Sequence, residues 1–207
     1  MRESVNDLCL FMTWCRPDYS LADARAFIAK SNSDWEKGEQ YDFAVLSARD
    51  EILLGSVGLN RINRANRSAN IGYWVRRTRT RRGVATAALR LVAEFGLKNL
   101  GLQRLEILVP GHNWASRRVA ERAGAKFEGV LRNRVVLTNK LHDARLYSLI
   151  PGDLPGLKIR APVRDTIENM PPLQSNQKRL EEPPGRPKHP AIMNLSNREP
   201  PPMREHL

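Results

Sequence analysis

Five arginines, Arg76, Arg77, Arg79, Arg81 and Arg82, crowd in front of Gly83, and an apolar-striped helix, "GVATAALRLVAEFG", opens directly after them. The start of a helix leaves about four backbone N–H groups without intrahelical partners and carries roughly half a positive charge. Arginines gathered there repel one another and the dipole end, so their type and place imply an anionic partner. Gly83 and Ala85 are small enough to let a phosphate reach the backbone, and a loop that turns its amides inward cradles a diphosphate. From Ile52 to Ala93 the chain holds nine arginines, no lysine and no acidic residue. Guanidinium without ammonium points to planar, multi-donor recognition of phosphate or carboxylate. The GxxxxGK[ST] pattern is absent, and so is GxGxxG with its later acidic residue, which argues against an NTPase loop or a dinucleotide fold.

The elements that must hold this loop are legible as alternating patterns. With 207 residues the chain can bury one sizeable core. Twelve of its fourteen prolines lie from Pro151 onward, so the globular part is expected over residues 1–154 and a Pro-rich, disordered tail over 155–207. Nine basic and seven acidic residues follow from Asp153, which leaves most of the net charge of +12 on the folded part. "SLADARAFIAKSNSDWEKG" reads as a helix capped by Ser20 with Asp23, ended by Gly38, with Leu21, Ala24, Phe27 and Ile28 on one face. "YDFAVLSA" and "EILLGSVGLNRI" read as a hairpin, and "SANIGYWV" as a third strand. The helix after Gly83 is expected to run to a C-cap at Gly101. "LQRLEILV" is a buried strand, "NWASRRVAERAG" a short helix, and "AKFEGVLRNRVVL" with "ARLYSLI" a closing hairpin, with His142 and Asp143 at its turn. The order α-β-β-β-α-β-α-β-β implies an α/β or α+β layered fold built on a mixed sheet.

Other classes are disfavoured. Cys9 and Cys15 match neither a disulfide framework nor, with four scattered histidines, a metal site. No apolar run approaches the roughly 20 residues of a membrane span, and "DLCLFMTWC" lacks a signal-peptide start. The expectation is a soluble protein in a reduced, cytoplasmic setting, without metal and without a membrane partner. RNA binding has thin support, because only Tyr73 and Trp74 are available for stacking among the arginines.

Three segments, "GYWVRRTRTRRGVATAALRLVAEFG", "LEILVPGHNWASRRVAERAGAKFEGVLR" and "HDARLYSL", together resemble the GCN5-related N-acetyltransferase (GNAT) superfamily, and within it the RimJ/RimL type that acetylates protein N-termini. The resemblance covers about residues 20–154. It implies a mixed, mostly antiparallel sheet with helices on both faces and acetyl-CoA as co-substrate. It also implies a (Q/R)xxGx(G/A) loop for the pyrophosphate, occupied by Thr80, Arg81, Arg82, Gly83, Val84 and Ala85, with Thr86 in the helix behind. Thr80 stands where the family has Gln or Arg. Trp74, Val75 and Arg76 fall where the family pairs strand backbone with pantetheine, and Asn113 matches an asparagine whose amide reaches the same arm. Ser116 would face the thioester sulfur, and Asn113 is also read as the cap of its helix. Family members carry one more strand before the first helix; here "MRESVNDLCLFMTW" stands in that place, so the sheet is expected to lack its first strand.

The implied chemistry is attack of an amine on a thioester. The Val75 N–H would donate to the oxyanion and Ser116 would donate to the departing sulfur. The position aligned with a glutamate of some relatives is Val135, which leaves Glu106, Glu128 and Asp143 as candidates for deprotonation through water. An N-terminal α-amine, with a pKa of about 7.7 to 8.0, asks less of a base than a lysine does. The expected acceptor is a protein or peptide N-terminus, such as that of a ribosomal protein. The alternatives are a small amine or antibiotic, or a protein that binds CoA without turnover, and a monomer and a homodimer both remain open.

Overall fold

The computed structural model describes residues 2–154 and 192–194. A 3-10 turn, Arg2–Ser4, leads into α1 (Val5–Cys9), followed by α2 (Leu21–Lys37). Strands β1 (Tyr41–Leu46), β2 (Leu53–Asn63) and β3 (Ser68–Val75) come next, then a 3-10 turn at Arg77–Arg79 and α3 (Val84–Lys98). The order continues with β4 (Arg104–Pro110), α4 (Trp114–Ala123), β5 (Lys126–Leu137), β6 (Lys140–Leu149) and the three-residue β7 (Ile192–Asn194). These strands form one sheet in the order β5-β6-β4-β3-β2-β1-β7. Every pairing is antiparallel except β3–β4 and β1–β7.

Alternation along each strand sends Phe43, Val45, Val57, Leu59, Ala69, Ile71, Leu105, Ile107, Val109, Tyr147 and Leu149 to one side, where they are buried. Leu89, Val92, Ala93 and Leu97 of α3 and Ala120 and Ala123 of α4 close that core. Arg90 of α3 donates to the carbonyls of Arg122 and Ala123, satisfying the exposed C-terminal end of α4. The opposite residues are polar and bond to one another: Asn70 to Asn60, and Arg104 to both Glu106 and Glu128.

The capping box of α2 forms as its sequence implies. Ser20 Oγ accepts from the Asp23 N–H at 3.2 Å, Asp23 Oδ2 accepts from the Ser20 N–H at 2.8 Å, and Gly38 ends the helix in the left-handed region. The apolar stripe of α2 does not face the core. Leu21, Phe27 and Ile28 are 61%, 46% and 55% exposed, while Ser31 and Asp34 are buried. Trp35 makes the packing contacts, against Tyr41, Phe43 and Phe95, because the C-terminal end of the helix meets the sheet at β1.

Two further expectations are corrected. Helix α3 stops at Lys98 with Asn99 as its cap, and Gly101, with φ of +66°, turns the chain into β4 instead of capping the helix. The β5–β6 turn is Thr138–Asn139, both at positive φ, so His142 and Asp143 lie inside β6. The sheet has no strand before α2 among the described residues, in line with the sequence, and the outer edge of β1 pairs with β7 in parallel, Ala44 opposite Ile192. Those three residues come from the stretch read as tail; the rest of 155–207 lies outside the described residues.

Candidate functional site

Parallel strands β3 and β4 pair only at Ser68–Arg104, Ala69–Leu105 and Asn70–Glu106. Beyond that point they diverge, and the C-terminal ends of β3 and β4 open a splay. On its other side β3 stays paired with β2 as far as Gly55–Val75. The Arg76 N–H donates to Leu54 O at 2.7 Å, and in an antiparallel ladder donors alternate between the two sides. The Trp74 and Arg76 amides therefore face β2, while the N–H and C=O of Val75 face the splay. Of the three residues expected to pair with pantetheine, only Val75 presents its backbone to the cleft. Gly55 permits this close packing of β2 behind the splay: a Cβ there would lie 2.2 Å from Trp74 O.

The loop between β3 and α3 curls through two left-handed residues, Arg81 at φ +61° and Gly83 at φ +78°. A Cβ at Gly83 would meet nothing within 4 Å, so the space in front of the helix is open. The Ala87 N–H starts the helical ladder on Gly83 O. Among the described residues no backbone or side-chain acceptor takes the N–H groups of Gly83, Val84, Ala85 and Thr86. Unpaired amides at the positive end of a 15-residue helix, facing open space, fit a doubly charged phosphate group. Neither its own side chains nor other backbone acceptors obstruct the loop.

The arginines divide into two groups. Arg76 is held by Glu3, through Nε at 3.1 Å and Nη2 at 2.8 Å, and also donates to Leu53 O. Thr78 Oγ1 donates to the same carboxylate at 2.8 Å. These donors hold the Glu3 carboxyl down at about 2, well below the usual carboxylate range. The Arg77 N–H donates to Ser4 Oγ at 3.0 Å, and its guanidinium lies 3.7 Å from Asp7. The Arg76 side chain thus anchors the N-terminal segment. Arg79, Arg81 and Arg82 form no ion pair among the described residues, and the last two are exposed on the open loop.

Helix α4 begins across the splay. Asn113 Oδ1 accepts from the Ser116 N–H at 3.0 Å, so the side-chain oxygen caps the helix and leaves the amide NH2 as a donor. Ser116 Oγ lies 2.7 Å from Tyr73 Oη, which also donates to Ser116 O at 3.0 Å. Burial pushes the Tyr73 hydroxyl well above its ordinary range, so it stays protonated. Tyr73 was missed by sequence reasoning. Its signal was available: it stands two residues before Val75 on a strand, hence on the face that α4 covers.

The acidic candidates do not gather here. Glu106 and Glu128 are both bonded by Arg104 on the polar face of the sheet, away from Ser116. The Arg104 guanidinium and Ser148 hydroxyl hold Glu128 down at about 2. Asp143 accepts from the Asn133 N–H at 2.9 Å. Val135, opposite His142 in the hairpin, carries no proton-accepting group. Among the described residues there is no cluster of three His, Cys, Asp or Glu that could hold a metal, and no helix long and apolar enough to cross a membrane.

Comparison with known proteins agrees with this architecture. The family model described as "Acetyltransferase (GNAT) domain" matches residues 4–126. The "Probable N-acetyltransferase YjcK" of Bacillus subtilis is 33% identical over 136 residues, 65% of this chain and 75% of the relative. The "Ribosomal-protein-serine acetyltransferase" of Escherichia coli is 30% identical over 102 residues, 49% of this chain and 57% of the relative. The structure of Mycobacterium smegmatis RimJ in complex with CoA-disulfide superimposes with a TM-score of 0.66 at 25% identity, over 73% of this chain and 74% of that one. With a match running through more than half of its length, and a sheet that splays in front of an uncapped helix, the chain belongs to the GNAT family of acetyltransferases and is an acyltransferase.

Proposed function

We propose that the enzyme moves the acetyl group of acetyl-CoA to the N-terminal α-amine of a protein substrate. The amides of Gly83 to Thr86 hold the pyrophosphate, with Arg81 and Arg82 at its flanks and Val84 and Ala85 keeping the approach shallow. The pantetheine arm runs into the splay, where it meets the backbone of Val75 and the side-chain NH2 of Asn113. The thioester carbonyl then lies against the Val75 N–H, and one such donor to an oxyanion is worth roughly 3 kcal/mol. Holding amine and thioester together supplies on the order of 7 kcal/mol or more.

As the tetrahedral intermediate collapses, the sulfur leaves with a negative charge. The Ser116 hydroxyl passes its proton to that sulfur while Tyr73, keeping its own proton, donates a hydrogen bond to Ser116 Oγ; the proton shed by the new amide nitrogen passes to solvent, and solvent returns one to Ser116. The attacking amine needs little help from the protein, because a free α-amine is already half neutral near pH 8. An α-amine acceptor is thus the reading consistent with a site whose nearby carboxylates are committed elsewhere.

The observation that carries this reading is the set of unpaired amides at Gly83 to Thr86 beside the open splay. The test is thiol release from acetyl-CoA with peptides bearing Ser, Ala or Met N-termini, run beside polyamines and aminoglycosides. Turnover with free but not N-blocked peptides is expected. Turnover with polyamines or aminoglycosides alone would overturn the acceptor assignment, and tight CoA binding without any thiol release would overturn catalysis.

A further inference from the structure

The N-terminal segment bridges the two lips of the splay. Glu3, Ser4 and Asp7 fasten it to Arg76, Thr78 and Arg77 at the end of β3. Eight residues on from Glu3, Phe11 packs against His112, just past the end of β4, with ring centroids 5.2 Å apart. His112 in turn lies 5.5 Å from His142. Between α1 and α2 the chain curls back on itself: the Phe11 and Met12 N–H groups donate to Leu8 O, and the Cys15 N–H to Met12 O. That curl brings Cys9 Sγ to 2.8 Å from Cys15 Sγ, although the spacing in the sequence suggested no pairing. Both cysteines are half-buried and free of any disulfide, with Cys15 Sγ also donating to Val5 O at 3.7 Å, so small reagents can reach them.

We propose that Cys9 and Cys15 form a dithiol site that a low-molecular-weight disulfide oxidises, and that its closure pins Phe11 against His112 across the mouth of the splay. The loop that the new bond would close runs from residue 9 to residue 15 and contains Phe11, so closing it restricts the contact made at the β4 lip. Burial and the neighbouring thiol push Cys15 up to about 12, which leaves the first attack to Cys9. The Cys9 thiolate attacks one sulfur of the reagent disulfide, its S–S bond breaks, and one thiolate leaves and takes up a proton. Cys15 then gives its proton to solvent and attacks the Cys9 sulfur of the mixed disulfide, expelling the second thiol. Two protein thiols are oxidised and one disulfide is reduced to two thiols.

The consequence for turnover rests on the acetyltransferase reading, but the chemistry of the pair does not. Full-length protein is incubated with oxidised glutathione and followed by intact mass and peptide mapping. Loss of two hydrogens, no retained glutathione and a Cys9–Cys15 linked peptide are expected, and Cys15→Ser should stop at a glutathione adduct on Cys9. A stable adduct on the unsubstituted protein, or unreacted thiols in excess reagent, overturns the site. Chymotrypsin cleavage after Phe11 should slow several-fold on oxidation, and the KM for a peptide amine should change several-fold with acetyl-CoA affinity unchanged. Equal cleavage rates together with equal KM overturn the coupling to the splay. Normal oxidation in a protein that releases no CoA with any amine overturns the transferase reading and leaves the dithiol site standing.

Discussion

Gly83 does two things that no other residue type does together: it takes φ of +78° and it leaves the space before α3 empty. Gly83→Glu should abolish acetyl-CoA binding in calorimetry, and because a side chain at that φ costs roughly 1–2 kcal/mol, a modest fall in Tm is expected with it. Ala85→Glu, placed in regular helix, separates the two effects: binding should again be lost, with stability close to that of the unsubstituted protein. Micromolar binding retained by both variants would rule out the loop as the phosphate site. At Ser116 the expectation is kinetic. Ser116→Ala should lower kcat by about 10²-fold, the low end for a proton donor, with KM for acetyl-CoA little changed. Tyr73→Phe should reproduce part of that loss. In both, rate should still rise through about pH 7.7 to 8.0, where the amine titrates; a flat profile there would mean that the enzyme supplies its own base.

At the scale of elements, the splay depends on how closely β2 backs β3. Gly55→Ala sets a methyl 2.2 Å from Trp74 O and 3.0 Å from Val75 Cα, and the strand must yield toward the cleft. A loss of about 1–3 kcal/mol is expected from such overpacking, read as a lower denaturant midpoint together with a raised KM for acetyl-CoA. An unchanged KM would show that β3 gives way elsewhere. Much at this scale was legible beforehand because its causes are local. Ser20 with Asp23, the glycines at 38 and 124, and the alternation in β1, β3 and β4 each act within a few residues. The stripe on α2 was legible too, but periodicity states which residues share a face and not what covers it. What escaped was non-local: Arg76 finds its acid 73 residues upstream, the two thiols meet only because the chain curls after α1, and Tyr73 meets Ser116 from 43 residues away. The Thr138–Asn139 turn escaped for another reason, since neither residue is the glycine that usually marks positive φ.

For the molecule as a whole, charge is less diffuse than a net +12 suggests. Acids at one end of the chain neutralise part of the arginine cluster, and Arg104 joins β4 to β5 through Glu128 while also pairing with Glu106 on its own strand. Glu128 sits at about 2 in the folded protein against an ordinary 4.5. A carboxyl lowered on folding stabilises fully above its unfolded value and loses that contribution as pH falls toward its folded one. Glu128→Gln should therefore lower Tm at pH 7, and the gap to the unsubstituted protein should narrow between about pH 4.5 and 2. A gap that persists at the acid end would show that the carboxylate is not what holds β5 there.

One position in the sheet joins residues far apart in the chain: β1 ends at Leu46 and its outer neighbour begins at Ile192. Bringing together ends separated by so long a span costs on the order of 4 kcal/mol of chain entropy, whereas a three-residue ladder returns only about 1 kcal/mol per hydrogen bond. That pairing is near break-even, which makes it a latch and not a foundation: removing residues 155–207 should leave Tm within a few degrees yet bare a strand that recruits others. Sedimentation of the shortened protein should then show self-association that grows with concentration, and a strictly monomeric product would mean that β1 needs no cover.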